Sequence, residues 1–327
     1  MPIHPRDALH GADAPLPPTL PVCDHYCGTP KTMQRSLELQ AQMTQEYSRC
    51  MFDVTLDCED GAPVGEEAAH AALVADMALA APPGARVAAR LHPVGHPAFA
   101  GDMASIAGRA GHRLTHLMIP KVERAADIDA AERALLQAYA PGLPLHALIE
   151  SPAAVQRAFE IAAHPRVQSI SFGLMDFVSA HGGAIPPSAM SASGQFTHFL
   201  VAHAKLHIAA AAHAAGKTPA HCIVTEFQNT TALYKAARRA ALEFGYTRMW
   251  SIHPAQIRPI LAAFAPDERL IHEACAILLA AERADWAPIN VDGALHDRAS
   301  YRHWWQVLER ARATGHNPPP EVAHWFA

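Results

Sequence analysis

Short apolar runs alternate with longer amphipathic segments rich in Ala and Leu from Pro21 to about Phe264. The runs predict strands at 22–26, 52–56, 86–91, 117–120, 145–150, 169–173, 222–224 and 249–252. Segments with helical spacing follow each of them, at 33–46, 66–79, 99–107, 125–138, 152–162, 195–215, 230–244 and 255–263. A strand that is apolar throughout is buried on both faces, which a parallel sheet covered by helices requires. Eight such pairs in about 250 residues predict a (β/α)8 barrel. A doubly wound sheet would show fewer repeats and a Gly-rich first turn, and the chain has no G-x-G-x-x-G. Beyond Phe264 the rhythm breaks at Pro266. A helical run over 269–284, a turn-like 290–293 and a helix near 301–312 carrying Trp and Arg predict a C-terminal helical extension. The expected division is an N-terminal arm at 1–20, a barrel at 21–265, and a lid or oligomerisation extension at 266–327.

Composition narrows the partners. With 327 residues, half of them hydrophobic, the chain can bury a large core. A formal net charge of -5, with charges alternating in sign, gives no face for nucleic acid. The Pro-rich stretch 1–20 reads as a loose arm without the apolar core of a signal peptide. The Ala-rich stretch 201–216 is interrupted by His203, Lys205, His207 and His213, which excludes a membrane span there. Six scattered cysteines are expected as reduced thiols, and Cys23 with Cys27 lacks the second pair that a zinc site needs. These features place the protein in the cytoplasm with a small-molecule substrate.

In a barrel, chemistry is built at the C-terminal ends of strands. Five consecutive predicted strands deliver ionisable groups there: Asp57, Glu59 and Asp60, then Arg90 and His92, then Lys121, then Glu150, then Asp176. Taken singly, each reads as a cap, a first-turn acid or a solvated loop charge; their coincidence points to one site. Glu150 and Asp176, from neighbouring strands, suit a hard divalent cation, with Mg2+ the best fit and Mn2+ the alternative. Arg90 presents a cationic fork to a substrate carboxylate or a developing enolate oxygen, a combination suited to keto or hydroxy acids. His25 and His92, at the ends of strands one and three, read equally as substrate contacts or hydrogen-bonded rim residues. His203 and His207 stand four apart on a helix, but no acidic residue completes a metal set. Trp304, Trp305 and Trp325 read as packing groups.

Seven segments together resemble the HpcH/HpaI aldolase and citrate lyase β-subunit-like family. Leu56-Asp57-Cys58-Glu59-Asp60-Gly61 resembles its L-D-x-E-D-A/G, Ala89-Arg90-Leu91-His92 its V-R-V-N, Pro120-Lys121-Val122 its P-K-V, and Leu148-Ile149-Glu150-Ser151 its L-I-E-T/S. Phe172-Gly173-Leu174-Met175-Asp176-Phe177 resembles F-G-x-x-D-L/F, Ser251-Ile252-His253-Pro254-Ala255-Gln256-Ile257 resembles x-I-H-P-x-Q-I/V, and Val291-Asp292-Gly293-Ala294-Leu295-His296-Asp297 resembles a C-terminal lid segment.

The resemblance implies a phosphoenolpyruvate/pyruvate-type barrel and a carbon–carbon lyase working by retro-aldol or retro-Claisen cleavage. Glu150 and Asp176 are then the metal ligands, Glu59 and Asp60 hold the waters around the metal, and Arg90 and Glu59 are catalytic. Asp297 is similar to the family's lid acid, which reaches a neighbouring subunit's barrel mouth. Asp57, Lys121, His25 and His92 are expected on the substrate side. A hydroxy or keto carboxylic acid or its CoA thioester is the implied substrate, and a trimer or hexamer the implied assembly. The chain departs from the family pattern at His92, at His221-Cys222-Ile223-Val224-Thr225-Glu226, at Arg248-Met249 and in the first strand; His25, His92, His221 and Met249 mark a divergent substrate-choosing half. The alternative reading is a diverged keto-acid or acyl-CoA-binding homologue, or an accessory subunit of a lyase complex.

Overall fold

The computed structural model describes residues 3–11 and 19–326. The described chain forms two compact units, one of Leu20–Ala263 and one that combines the N-terminal residues with Phe264–Ala327.

The first unit is a closed barrel of eight parallel strands in sequential order, joined where β1 pairs with β8. The strands are β1 (Cys23–Cys27), β2 (Phe52–Asp57), β3 (Val87–Arg90), β4 (Leu114–Ile119), β5 (Leu145–Ile149), β6 (Val167–Phe172), β7 (Thr218–His221) and β8 (Arg248–Ser251). The (β/α)8 architecture expected from the periodicity is therefore present. Two helices show how local chemistry sets the boundaries. Thr29 caps Pro30–Tyr47 by accepting from the Thr32 N–H, with Pro30 at the first helical position. Ser151 does the same for Pro152–Gln156 through the Ala154 N–H.

Three differences from the sequence reading have physical causes. The seventh strand was expected at 222–224 and lies at Thr218–His221. Pro219 and His221 interrupt its apolar character, whereas Cys222–Val224 are apolar because they continue past the strand end, where Cys222 and Ile223 line a cavity. The helix expected over 99–107 is α-helical at Phe99–Asp102 and widens to a π-turn at Met103–Ala107. The sixth strand ends at Phe172, and Gly173 starts the helix Leu174–Ser179, so Asp176 stands in a helical first turn and not on a strand end.

Side chains inside the barrel alternate along each strand, as the pleat requires, and stack in layers. The lowest layer is polar: Arg248 is fully buried, 2.8 Å from Asp24 and 2.6 Å from Asp53, and it donates to the Pro21 carbonyl. Thr55 donates to Asp24, and His116 and His146 stack beside it. Two residues further along the strands, Tyr26, Met118, Leu148, Ala220 and Trp250 make an apolar plug. The next step brings Asp57, Arg90 and Glu150 to the upper end.

The second unit is built on the helices Glu268–Arg283 and Arg298–Ala313 with a small hairpin, Ile289–Val291 and Ala294–His296. Its core holds Leu278, Tyr301, Trp305, Val322 and Trp325. Part of the expected loose arm belongs here: Pro5–His10 is a helix whose Leu9 is buried in that core, and His4 bonds the Trp325 carbonyl. The rest of that arm, residues 1, 2 and 12–18, lies outside the described residues. No described helix is long and apolar enough to cross a membrane.

Candidate active site

The C-terminal ends of β1, β2, β3, β5, β6, β7 and β8 open into a cavity of about 800 Å³. Arg90 is its ionic centre. In register, β2 places Asp57 beside Arg90, and the guanidinium forks onto that carboxylate through Nε to Oδ1 (2.7 Å) and Nη2 to Oδ2 (2.6 Å). Its Nη1 lies 3.0 Å from Glu59 Oε2. Burial works against the Arg90 charge, but Asp57 and Glu59 outweigh it and raise the pKa. Asp57 also accepts from the N–H groups of Glu59 and Gly61. With four such bonds it holds Arg90 and the loop after β2, while also lining the cavity.

Behind Arg90, Lys121 donates to Glu59 Oε1 at 2.5 Å and lies 3.8 Å from Asp60 and 4.0 Å from Asp176. Glu59 is buried, and burial raises its pKa against the pull of Arg90. Lys121 itself has φ 51°, a left-handed conformation rare for a side-chain-bearing residue and typical of constrained sites.

Glu150 differs from these paired acids. Its Oε2 is buried and has no hydrogen-bond partner among the described residues. Its carboxyl is pushed well above the usual range, first by burial and then by the charges of Glu59 and Asp176. A buried carboxylate oxygen without a donor, beside the half-exposed Asp176, is a donor set that fits a hard divalent cation. Gly173 makes the position available, since a Cβ there would stand 2.4 Å from Glu150 Cγ.

Two loops at the mouth are pressed together. A Cβ on Gly28, after β1, would fall 1.8 Å from the Gly61 carbonyl oxygen, and one on Gly61 would fall 2.3 Å from Asp57 Oδ2. The glycines within the sequence motifs carry this packing, which their spacing alone does not reveal.

The histidines separate. His25 lines the cavity, bonded through Nδ1 to Ser251 Oγ at 2.7 Å, and burial pushes its pKa down to about 4. His92 is not among the residues that line it: Nδ1 is hydrogen-bonded to Asp102 at 2.7 Å and the ring stacks on His96, the arrangement of a hydrogen-bonded rim residue. His221 points to Lys205 Nζ (2.9 Å), and Met249 is buried; neither faces the cavity. Their neighbours Cys222 and Trp250 do, and the sequence reading missed both, together with Tyr26. The period of two along β1 and β8, pairing Asp24 with Tyr26 and Arg248 with Trp250, is the signal that could have found the two aromatics. Asp297, in the second unit, caps Arg298–Ala313 by accepting from the N–H groups of Ala299 and Ser300.

Asp24, His116 and His146, in the lower layer, also bring potential ligand atoms together. The two rings stack with centroids 3.6 Å apart and planes 14° apart, so their in-plane lone pairs run side by side and do not meet on one ion. Arg248 already supplies the positive charge that Asp24 needs.

A family model for HpcH/HpaI aldolase/citrate lyase matches residues 36–254. An L-malyl-CoA/beta-methylmalyl-CoA lyase from Cereibacter sphaeroides is 29% identical over 253 residues, covering 71% of this chain and 77% of the relative. A citrate lyase structure from Burkholderia xenovorans LB400 is 44% identical, with both chains covered in full and a TM-score of 0.82. The structure of CitE from Mycobacterium tuberculosis in complex with magnesium, acetoacetate and coenzyme A is 22% identical over 90% of this chain and 98% of that one; its TM-score of 0.65 speaks to the fold.

Proposed function

The chain belongs to the HpcH/HpaI aldolase/citrate lyase family and by that kinship is a carbon–carbon lyase; we propose that it cleaves a hydroxy or keto carboxylic acid, or its CoA thioester, with a divalent cation held by Glu150 and Asp176. The observation that carries this reading is the unpartnered buried oxygen of Glu150 in the same cavity as the fixed Arg90 fork. Mg2+ is the preferred cation and Mn2+ the alternative; when bound, it would polarise the substrate's oxygens as an electrophilic template.

The chain's own groups divide the remaining work. Arg90, kept charged and immobile by Asp57 and Glu59, meets the substrate carboxylate or the oxygen on which enolate charge gathers. A base takes the hydroxyl proton, the carbon–carbon bond breaks, and its electron pair passes to the fragment whose carbonyl faces Arg90; that enolate then takes up a proton. Glu59 and Asp60 steady the ionic end, with Lys121 between them. The neutral His25 lies within the wall as a hydrogen-bonding partner for substrate. The 266–327 extension acts as a lid or oligomerisation element of a trimer or hexamer, in which Asp297 serves a neighbouring barrel.

Calorimetric titration of Mg2+ tests the ligand assignment. Glu150→Ala and Asp176→Ala should each remove measurable Mg2+ affinity while circular dichroism is unchanged. Wild-type affinity in both would overturn it.

A further inference from the structure

Beside its ionic residues the cavity has an apolar stretch of wall. The Arg90 guanidinium lies 5.5 Å from the Tyr26 ring centroid, and Tyr26 stacks on Trp250 at 4.5 Å with planes 23° apart. The single polar atom of Trp250 is spent on Ser171 Oγ, so the indole offers the cavity only its aromatic surface. Ile223, Ile252, Phe172 and Leu174 extend this apolar stretch. Ile252 is 41% exposed, a large aliphatic side chain left facing the cavity, and such surface calls for an apolar group to cover it. Among the described lining residues the permanent cations are Arg90 and Arg35. Arg90 is already engaged by Asp57 and Glu59, and Arg35 stands exposed on the helix Pro30–Tyr47, so apart from the proposed metal the lining offers no further buried cation for a second carboxylate.

We propose that the substrate is a monocarboxylic acid bearing a hydrocarbon or aryl substituent, seated against Tyr26 and Trp250 with Ile223 and Ile252 beside it, while its carboxylate meets Arg90. This rests on the lyase reading and names its substrate class. Trp250 and Ile252 thereby become specificity-determining residues, in place of the His92, His221 and Met249 suggested by the sequence.

Calorimetry on the full chain with Mg2+ tests it, using pyruvate, 2-oxobutyrate, 2-oxovalerate, phenylpyruvate, oxaloacetate and free coenzyme A as probes. The Kd should fall by about fourfold per added methylene, and phenylpyruvate should bind at least ~30-fold more tightly than pyruvate. Ile252→Ser should cut the phenylpyruvate-to-pyruvate ratio by about fivefold or more. A flat series with measurable pyruvate affinity, or oxaloacetate as the tightest acid, overturns the proposal alone. A flat series accompanied by coenzyme A binding that Ile252→Ser weakens assigns the wall to the pantetheine arm and likewise overturns it. No affinity for any acid, pyruvate included, overturns it together with the lyase reading.

Discussion

At the lower end of the barrel interior Arg248 lies within 2.8 Å of both Asp24 and Asp53, whereas at the upper end the buried carboxyl of Glu150 faces the acids Glu59 and Asp176 with no cation paired to it among the described residues. Both ends bury charge, and the difference lies in how it is balanced. Burial raises the pKa of Asp24, but Arg248 and the hydrogen bonds of His116 and Thr55 overcome it, and the carboxyl sits far below the usual range. Burial raises Glu150 too, and its acidic neighbours add to the effect while Arg90 and Lys121 fail to reverse it. Buried charges that offset one another hold a fold together, whereas a buried carboxyl without a paired counter-charge marks a place where a cation can bind.

Removing the balance at the lower end should have the largest effect on stability. Arg248→Met leaves Asp24 and Asp53 buried without their shared cation and should cost ~3–5 kcal/mol in urea unfolding. A loss under about 1 kcal/mol would erase the distinction between the ends. At the upper end Arg90→Lys should lower kcat by ~10²–10³-fold, because an ammonium cannot reproduce the fork on Asp57 and still face substrate. Its denaturation midpoint should move far less than that of Arg248→Met.

The two ends should also respond to pH with opposite sign. Asp24 binds its proton more weakly in the folded state, so its contribution is present above its ordinary value of 3.8 and is lost as pH falls below it. Glu150 binds its proton more tightly in the folded state. In metal-free protein its contribution is therefore present below its ordinary value of 4.5 and is lost as pH rises towards the elevated folded value. Metal-free protein should lose stability across that upper window, Glu150→Gln should flatten the loss, and saturating Mg2+ should reverse it. A metal-free profile identical in Glu150→Gln would remove Glu150 from the comparison. The smallest effect should come from Lys121→Met, at a partly exposed group, with a stability change under ~1 kcal/mol.

Much of this was legible in the chain. The barrel follows from eight repeats, and the carboxylates stood out because they fall at strand ends or, for Asp176, in the turn of helix that follows one. Contacts that depend on register and on turns were not legible. Asp57 and Glu150 look alike in sequence, yet β2–β3 pairing puts Asp57 directly beside Arg90 and uses up its lone pairs, while Glu150 has no such neighbour. His92 occupies a strand end as Arg90 does, but Asp102, at the head of a π-turn that periodicity cannot distinguish from an α-helix, draws it away. The seventh strand escaped because a strand containing Pro219 and His221 does not read as an apolar run, and the true wall residues Cys222 and Ile223 took its place.

The contact between Gly28 and Gly61 has a consequence for the descent of such enzymes. A side chain at position 28 would displace Gly61, a shift of Gly61 would disturb Asp57, and Asp57 sets the aim of Arg90. Two loops separated by one βα unit therefore cannot drift independently. In a chimera between this protein and a relative, the segment after β1 and the segment after β2 must be inherited from the same parent.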